Sequence, residues 1–193
     1  NGQKNHSLLS LMNKTVTPMG SRLFKRWLTR PLRCQTTIND RHQAIDYLLS
    51  FDINENLRPT LKEFGDVERI LARIALDNVR PRCLVQLRKA LNALPQLKQL
   101  FQSKLPPRLQ FSFDNLIELP ELLNLLERGL VDNPPMTIRD GGMILTGFDK
   151  ELDELKSLSE NANDKLIELE IQEKEETGIS SLKVGYNRVH GYF

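Results

Sequence analysis

A chain of 193 residues and 22.3 kDa is long enough to bury its own core, as one large domain or two small ones. Its 39% hydrophobic and 27% charged residues exclude wholesale disorder, and a formal net charge of +2 neither favours nor excludes a nucleic-acid partner. Two cysteines outside any CxxC, Cys34 and Cys83, argue against a zinc site or a disulfide scaffold and for buried thiols in a reducing compartment.

Helical periodicity dominates the chain. Leu8, Leu9, Leu11 and Met12 precede Thr17-Pro18, which reads as an N-cap and first-turn pair. Leu23, Phe24, Trp27 and Leu28 then form one apolar stripe, with Arg22, Lys25, Arg26 and Arg30 around it, and Pro31 ends that helix. A second helix is expected over Thr36 to Phe51 and a short third over Ile53 to Phe64. Gly65-Asp66 reads as a stop followed by an N-cap, ahead of the amphipathic run Val67, Ile70, Leu71, Ile74 and Ala75. Pro81 starts a helix through Phe101 carrying Leu84, Leu87, Leu91, Leu94 and Leu97, with a kink expected at Pro95. After Lys104-Leu105-Pro106-Pro107 a further helix is expected from Phe113 to Leu130, bent near Pro120. Asp132-Asn133-Pro134-Pro135 closes it, and Met136 to Phe148 reads as an irregular turn with a short strand.

From Asp149 to Thr177 runs the longest helical pattern. Phe148, Leu152, Leu155, Ala162, Leu166 and Leu169 keep a 3-4 spacing, Ser159 is the polar gap and Gly178 is the natural C-cap. One helix of that length would reach roughly 40 Å, more than a compact domain needs. Leu182, Val184, Tyr186, Val189, Tyr192 and Phe193 carry the one clear β signal. A chain that starts at Asn1 and stops inside this strand-like stretch is expected to be a piece of a longer protein. No run approaches 18 apolar residues and no charged leader precedes a short apolar core, so no membrane segment or secretion signal is expected.

Charge is unevenly placed. Residues 1–41 hold eight bases and one acid, whereas residues 149–176 hold eleven acids and four bases. Two solvated faces would explain this. The basic helix suits either phosphate contact or pairing with the acidic helix, and the sequence does not decide between them.

No catalytic constellation emerges. The sequence contains no G-x-x-x-x-G-K-[ST], HExxH or GxSxG, and no GxGxxG after a strand. Gly141-Gly142 reads as a tight turn rather than an anion nest, and His42 as a packed or surface side chain rather than a base. Asp66 and Glu68, near Arg69 and Arg73, read as a helix cap with acids at its positive end rather than as paired catalytic carboxylates. Catalytic, cofactor-binding and metal residues are therefore assigned to none. The C-terminal cluster Lys183, Tyr186, Asn187, Arg188, His190 and Tyr192 mixes bases with aromatics, which suits contact with a nucleic-acid backbone and equally suits a strand with one wet face.

Four blocks are more specific than their periodicity. Thr17-Pro18-Met19-Gly20-Ser21-Arg22-Leu23-Phe24-Lys25-Arg26-Trp27-Leu28, Gly65-Asp66-Val67-Glu68-Arg69-Ile70-Leu71-Ala72-Arg73-Ile74-Ala75, Arg139-Asp140-Gly141-Gly142 with the Gly147-Phe148-Asp149-Lys150-Glu151-Leu152-Asp153-Glu154-Leu155 that follows, and Leu182 to Phe193 resemble, in family order, signatures of the MutS family of DNA mismatch-repair ATPases. The resemblance implies a mainly α fold: a multi-helix core (lever) domain over 1–177 with one long projecting helix, and the start of a β clamp over 178–193. It implies that the intact protein is a homodimer that binds mismatched double-stranded DNA, uses ATP and Mg to become a sliding clamp and recruits a MutL-type partner in the bacterial cytoplasm, at the nucleoid. The mismatch-reading wedge, the Walker A loop and the clamp tip of the family have no counterpart in these residues. The piece is expected to link clamp to ATPase without catalysing anything and without holding a cofactor. A MutS paralogue acting in recombination, or a helical scaffold that binds only protein, are the alternatives.

Overall fold

A computed structural model describes residues 7–50, 53–101, 104–187 and 191–192. The chain forms two compact units, residues 1–145 and 146–193.

The first unit is helical: α1 (Leu8–Met12), α2 (Pro18–Thr29), α3 (Gln35–Ser50), α4 (Asn54–Glu63), α5 (Val67–Ala75), α6 (Pro81–Gln99), α7 (Pro107–Asp114) and α8 (Pro120–Gly129), then one 3-10 turn over Ile138–Asp140. Local chemistry starts most of them. The Thr17 side chain accepts from the Gly20 N–H at the start of α2. Asp66 accepts from the Arg69 N–H at the start of α5. Prolines occupy the first turns of α2, α6, α7 and α8, where a missing N–H costs nothing.

Helix α6 is the centre of this unit, packing against α4, α5 and α8. Ile70, Leu87, Leu91, Leu126 and Leu130 form the buried cluster, with Leu84, Leu94, Leu123, Met143 and Ile144 packed against it. The stripe read on α6 is thus the core-facing one. An isolated bridge pairs Leu130 with Ile144, supported by hydrogen bonds from Val131 N–H to the Met143 carbonyl and from Leu145 N–H to the Gly129 carbonyl.

Two expectations change here. The helix expected over Phe113 to Leu130 is two helices, α7 and α8, separated by residues 115–119. Pro120 opens α8 instead of bending a longer helix, because a proline has no N–H to continue a ladder from the previous turn. Cys34 is exposed, not buried, since it lies in the extended stretch just before α3.

The second unit comprises α9 (Lys150–Glu160), α10 (Ala162–Thr177) and a hairpin of β1 (Tyr186–Asn187) and β2 (Gly191–Tyr192). Asp149 caps α9 by accepting from the Leu152 N–H, and Gly178 ends α10 in the left-handed region at φ 70°. The single helix expected from Asp149 to Thr177 is interrupted at Asn161, whose φ −97° and ψ 15° leave helical geometry. The segment invites this: Asn161 follows Ser157 and Ser159, and its side-chain nitrogen donates to the Ser157 hydroxyl, offering the backbone a local alternative to the ladder. The β structure is also shorter than expected. Residues 182–185 have no strand partner among the described residues, and pairing there begins at Tyr186.

Candidate nucleic-acid interface

Of the residues expected to meet a nucleic-acid backbone, Tyr186, Asn187 and Tyr192 lie on the strands of the hairpin. Antiparallel register places Tyr186 opposite Tyr192 and Asn187 opposite Gly191. The two tyrosines are therefore register partners across the ribbon. Gly191 sits at φ 73°, a conformation that suits the glycine found there. Lys183 is exposed, three residues before β1. Arg188 and His190 lie outside the described residues.

One carboxylate ties the approach to this hairpin to α10. Glu170 Oε1 accepts from Lys174 Nζ at 2.6 Å, one turn further along the helix, and Glu170 Oε2 accepts from the backbone N–H of Val184 at 3.2 Å. The Lys174 hydrogen bond, then the Val184 one, hold the Glu170 carboxyl below the usual carboxylate range, and the Lys183 charge adds to the effect. Sequence reasoning missed Glu170. The i,i+4 spacing to Lys174 signals an ion pair, but nothing local signals the bond to Val184.

The basic helix α2 is divided in its use. Arg22 is committed within the first unit: Nη1 and Nη2 donate to the two oxygens of Asp66 at 2.8 and 2.6 Å, while Nη2 and Nε reach Glu68 Oε2 at 2.6 and 3.2 Å. The Asp66 hydrogen bond, followed by the Glu68 one, pushes the Arg22 guanidinium further above its ordinary value. The acidic partner of this basic helix is thus the start of α5. Trp27 of the same helix lies under the Arg41 guanidinium, 3.6 Å from ring centroid to Cζ. Lys25, Arg26 and Arg30 are exposed and enter no ion pair among the described residues. Asp66 is a helix cap and an ion-pair acceptor, and Glu68 is an ion-pair acceptor.

Elsewhere in the first unit a cavity of about 340 Å³ lies between residues 78–81 and 136–139, with Arg80 and Arg139 among its lining side chains. Among the described residues no group of three metal-ligating side chains converges. No described helix is long and apolar enough to cross a membrane.

A many-helix core organised on α6, followed by a capped helix pair that leads into a β-hairpin, defines a helical core domain. The family model for MutS domain III matches residues 1–182. The chain belongs to the MutS family of mismatch-repair proteins, and its helical fold is that of domain III.

Proposed function

We propose that this chain is the lever of a DNA mismatch-repair ATPase, residues 1–177, together with the root of its DNA clamp, residues 178–193. On this reading the intact protein is a homodimer that closes on mispaired double-stranded DNA, binds ATP and Mg, converts to a sliding clamp and recruits a MutL-type partner in the bacterial cytoplasm. The piece itself is non-catalytic. It links DNA grip to nucleotide state through α9 and α10. Lys183, Tyr186, Asn187, Arg188, His190 and Tyr192 contact the DNA backbone rather than base edges, because a sequence cluster of basic and aromatic residues matches phosphate and sugar without encoding sequence.

The observation that carries the reading is the domain III match over residues 1–182, continued directly by a hairpin that brings Tyr186 and Tyr192 into register. The test is binding of this chain to homoduplex and G·T heteroduplex DNA across a salt series. The expected result is weak, salt-dependent binding, equal on both duplexes, with no ATP hydrolysis. Preference for the heteroduplex would show that the core reads the lesion itself and would overturn the division of labour. Binding of protein partners alone, with no salt-sensitive DNA binding by the intact protein, would favour a scaffold.

A further inference from the structure

Residues 178–185 connect α10 to the hairpin without a strand partner among the described residues, so little backbone pairing fixes their course. Within the connection Leu182 N–H donates to the Ile179 carbonyl at 3.2 Å, which closes the turn after Gly178. Beyond that turn, the Val184 N–H donates to Glu170 Oε2, fourteen residues back, and returns the chain to the helix. The Glu170 side chain is 26% exposed, partly withdrawn from competing water.

The two oxygens of this carboxylate have separate tasks. Oε1 takes the Lys174 ammonium within the helix, and Oε2 takes a backbone donor outside it. An i,i+4 ion pair on a helix surface contributes little to stability, so Lys174 chiefly holds the Glu170 rotamer in place. A backbone N–H bonded to an ionised carboxylate is the stronger, charge-assisted kind. Val184 precedes Tyr186 by two positions, so where its amide is held sets where β1 starts.

We infer that Glu170 is a positioning residue for the clamp: by holding the Val184 amide it fixes where the chain that follows α10 enters β1. Its functional half rests on the proposed DNA contact of segment 183–192; its structural half does not. Among the described residues, this carboxylate adds to the covalent turn at Gly178 a second hydrogen-bonded tether between α10 and the approach to the hairpin.

The separate tasks of the two oxygens make the inference testable by crossing them. Glu170→Gln keeps an acceptor for Val184 and loses the ion pair. The double exchange Glu170→Lys with Lys174→Glu keeps an intrahelical ion pair and loses the acceptor. Glu170→Ala loses both. Amide hydrogen exchange at Val184 is read by NMR in the 193-residue chain, with far-UV circular dichroism confirming equal helix content. Exchange at Val184 should quicken about tenfold in Glu170→Ala and in the double exchange, and less than about threefold in Glu170→Gln. Salt-dependent DNA affinity should follow the same order. Unchanged exchange in Glu170→Ala, or a double exchange that behaves like the wild type, would overturn the inference. If the amide pattern holds but DNA affinity moves in none of the variants, Glu170 still positions the segment and the reading of that segment as DNA-facing fails instead.

Discussion

Arg22 and Asp66, 44 positions apart in the chain, meet through two parallel hydrogen bonds of 2.8 and 2.6 Å. The same carboxylate accepts the Arg69 N–H at the start of α5. One side chain therefore caps a helix and docks another onto it, and planar bidentate geometry makes an arginine, not a lysine, the matching partner.

Replacing Asp66 should separate these roles. Asp66→Ala loses the cap and the fork, and should cost about 2–3 kcal/mol in urea unfolding. Asp66→Asn keeps an N-cap acceptor and should lose about half as much. Equal stability of both variants and the wild type would show that the fork is idle in solution.

The Arg22 hydrogen bond, with help from the Arg69 N–H, holds the Asp66 carboxyl below its ordinary range. A lowered folded value means that the ionised form is favoured by folding. The stabilisation is fully present above the unfolded value of about 3.9 and is lost as pH falls below it through the folded value. The stability gap between wild type and Asp66→Ala should therefore be flat between about pH 7 and pH 5 and should shrink below about pH 4. A gap that narrows with rising pH would contradict the assignment.

Gly65 stands at φ 58°, and a Cβ added there would come within 2.9 Å of the Gln86 side chain. That side chain is not free to move away without loss, since its amide donates to the Glu63 carbonyl at 2.7 Å near the end of α4. Gly65→Ala should cost about 1–3 kcal/mol, measured by thermal or urea unfolding. Adding Gln86→Ala should recover part of the clash but not the backbone strain.

Cys34 offers a chemical readout. Hydrogen bonds from the Thr36 and Thr37 hydroxyls, at 3.0 and 3.4 Å from Sγ, pull its thiol down to about 7. Alkylation by iodoacetamide, followed at the Cys34 peptide by mass spectrometry, should reach half its maximal rate near pH 7 rather than near the ordinary value of about 8.5. Thr36→Val should move that midpoint upward.

Leu155 lies inside α9, five residues after its start. Leu155→Pro removes a ladder hydrogen bond and adds a ring clash, at a cost of about 3 kcal/mol or more to that helix. Helix content should fall in circular dichroism. In the intact protein the same change should uncouple mismatch binding from ATP-driven release, and normal mismatch-dependent nucleotide exchange would refute the lever role.

What could be read from the sequence was what neighbouring residues decide. Thr17-Pro18, Gly65-Asp66, Pro81 and Gly178 mark boundaries because a cap, a positive φ or a missing N–H acts within one turn. The leucines of α6 revealed the core for the same reason, since period alone selects a face. The break before Pro120 was hidden by Leu116, Ile117, Leu119 and Leu122, an apolar run that mimics a continuous helix across residues 115–119. At Asn161 the heptad spacing outvoted three weak helix formers. The Arg22 fork and the Glu170 bond to Val184 could not be read at all, because charge patterns report which residues want partners and not which distant partner the fold delivers. Near the C-terminus the β tendency was legible, but the carboxylate that bonds Val184 was not.

The interruption at Asn161 also sets how this region comes apart. In an unbroken helix, fraying that starts at one end can run the full length, since each lost hydrogen bond exposes the next. Here, unzipping that enters at Thr177 arrives at a residue already outside helical geometry, beyond which α9 retains Asp149 at its other end as a cap. The gap should act as a firebreak: a nick or a local melt beside the hairpin is expected to consume α10 and stop, so that α9 opens as a separate unit with its own protection in hydrogen exchange.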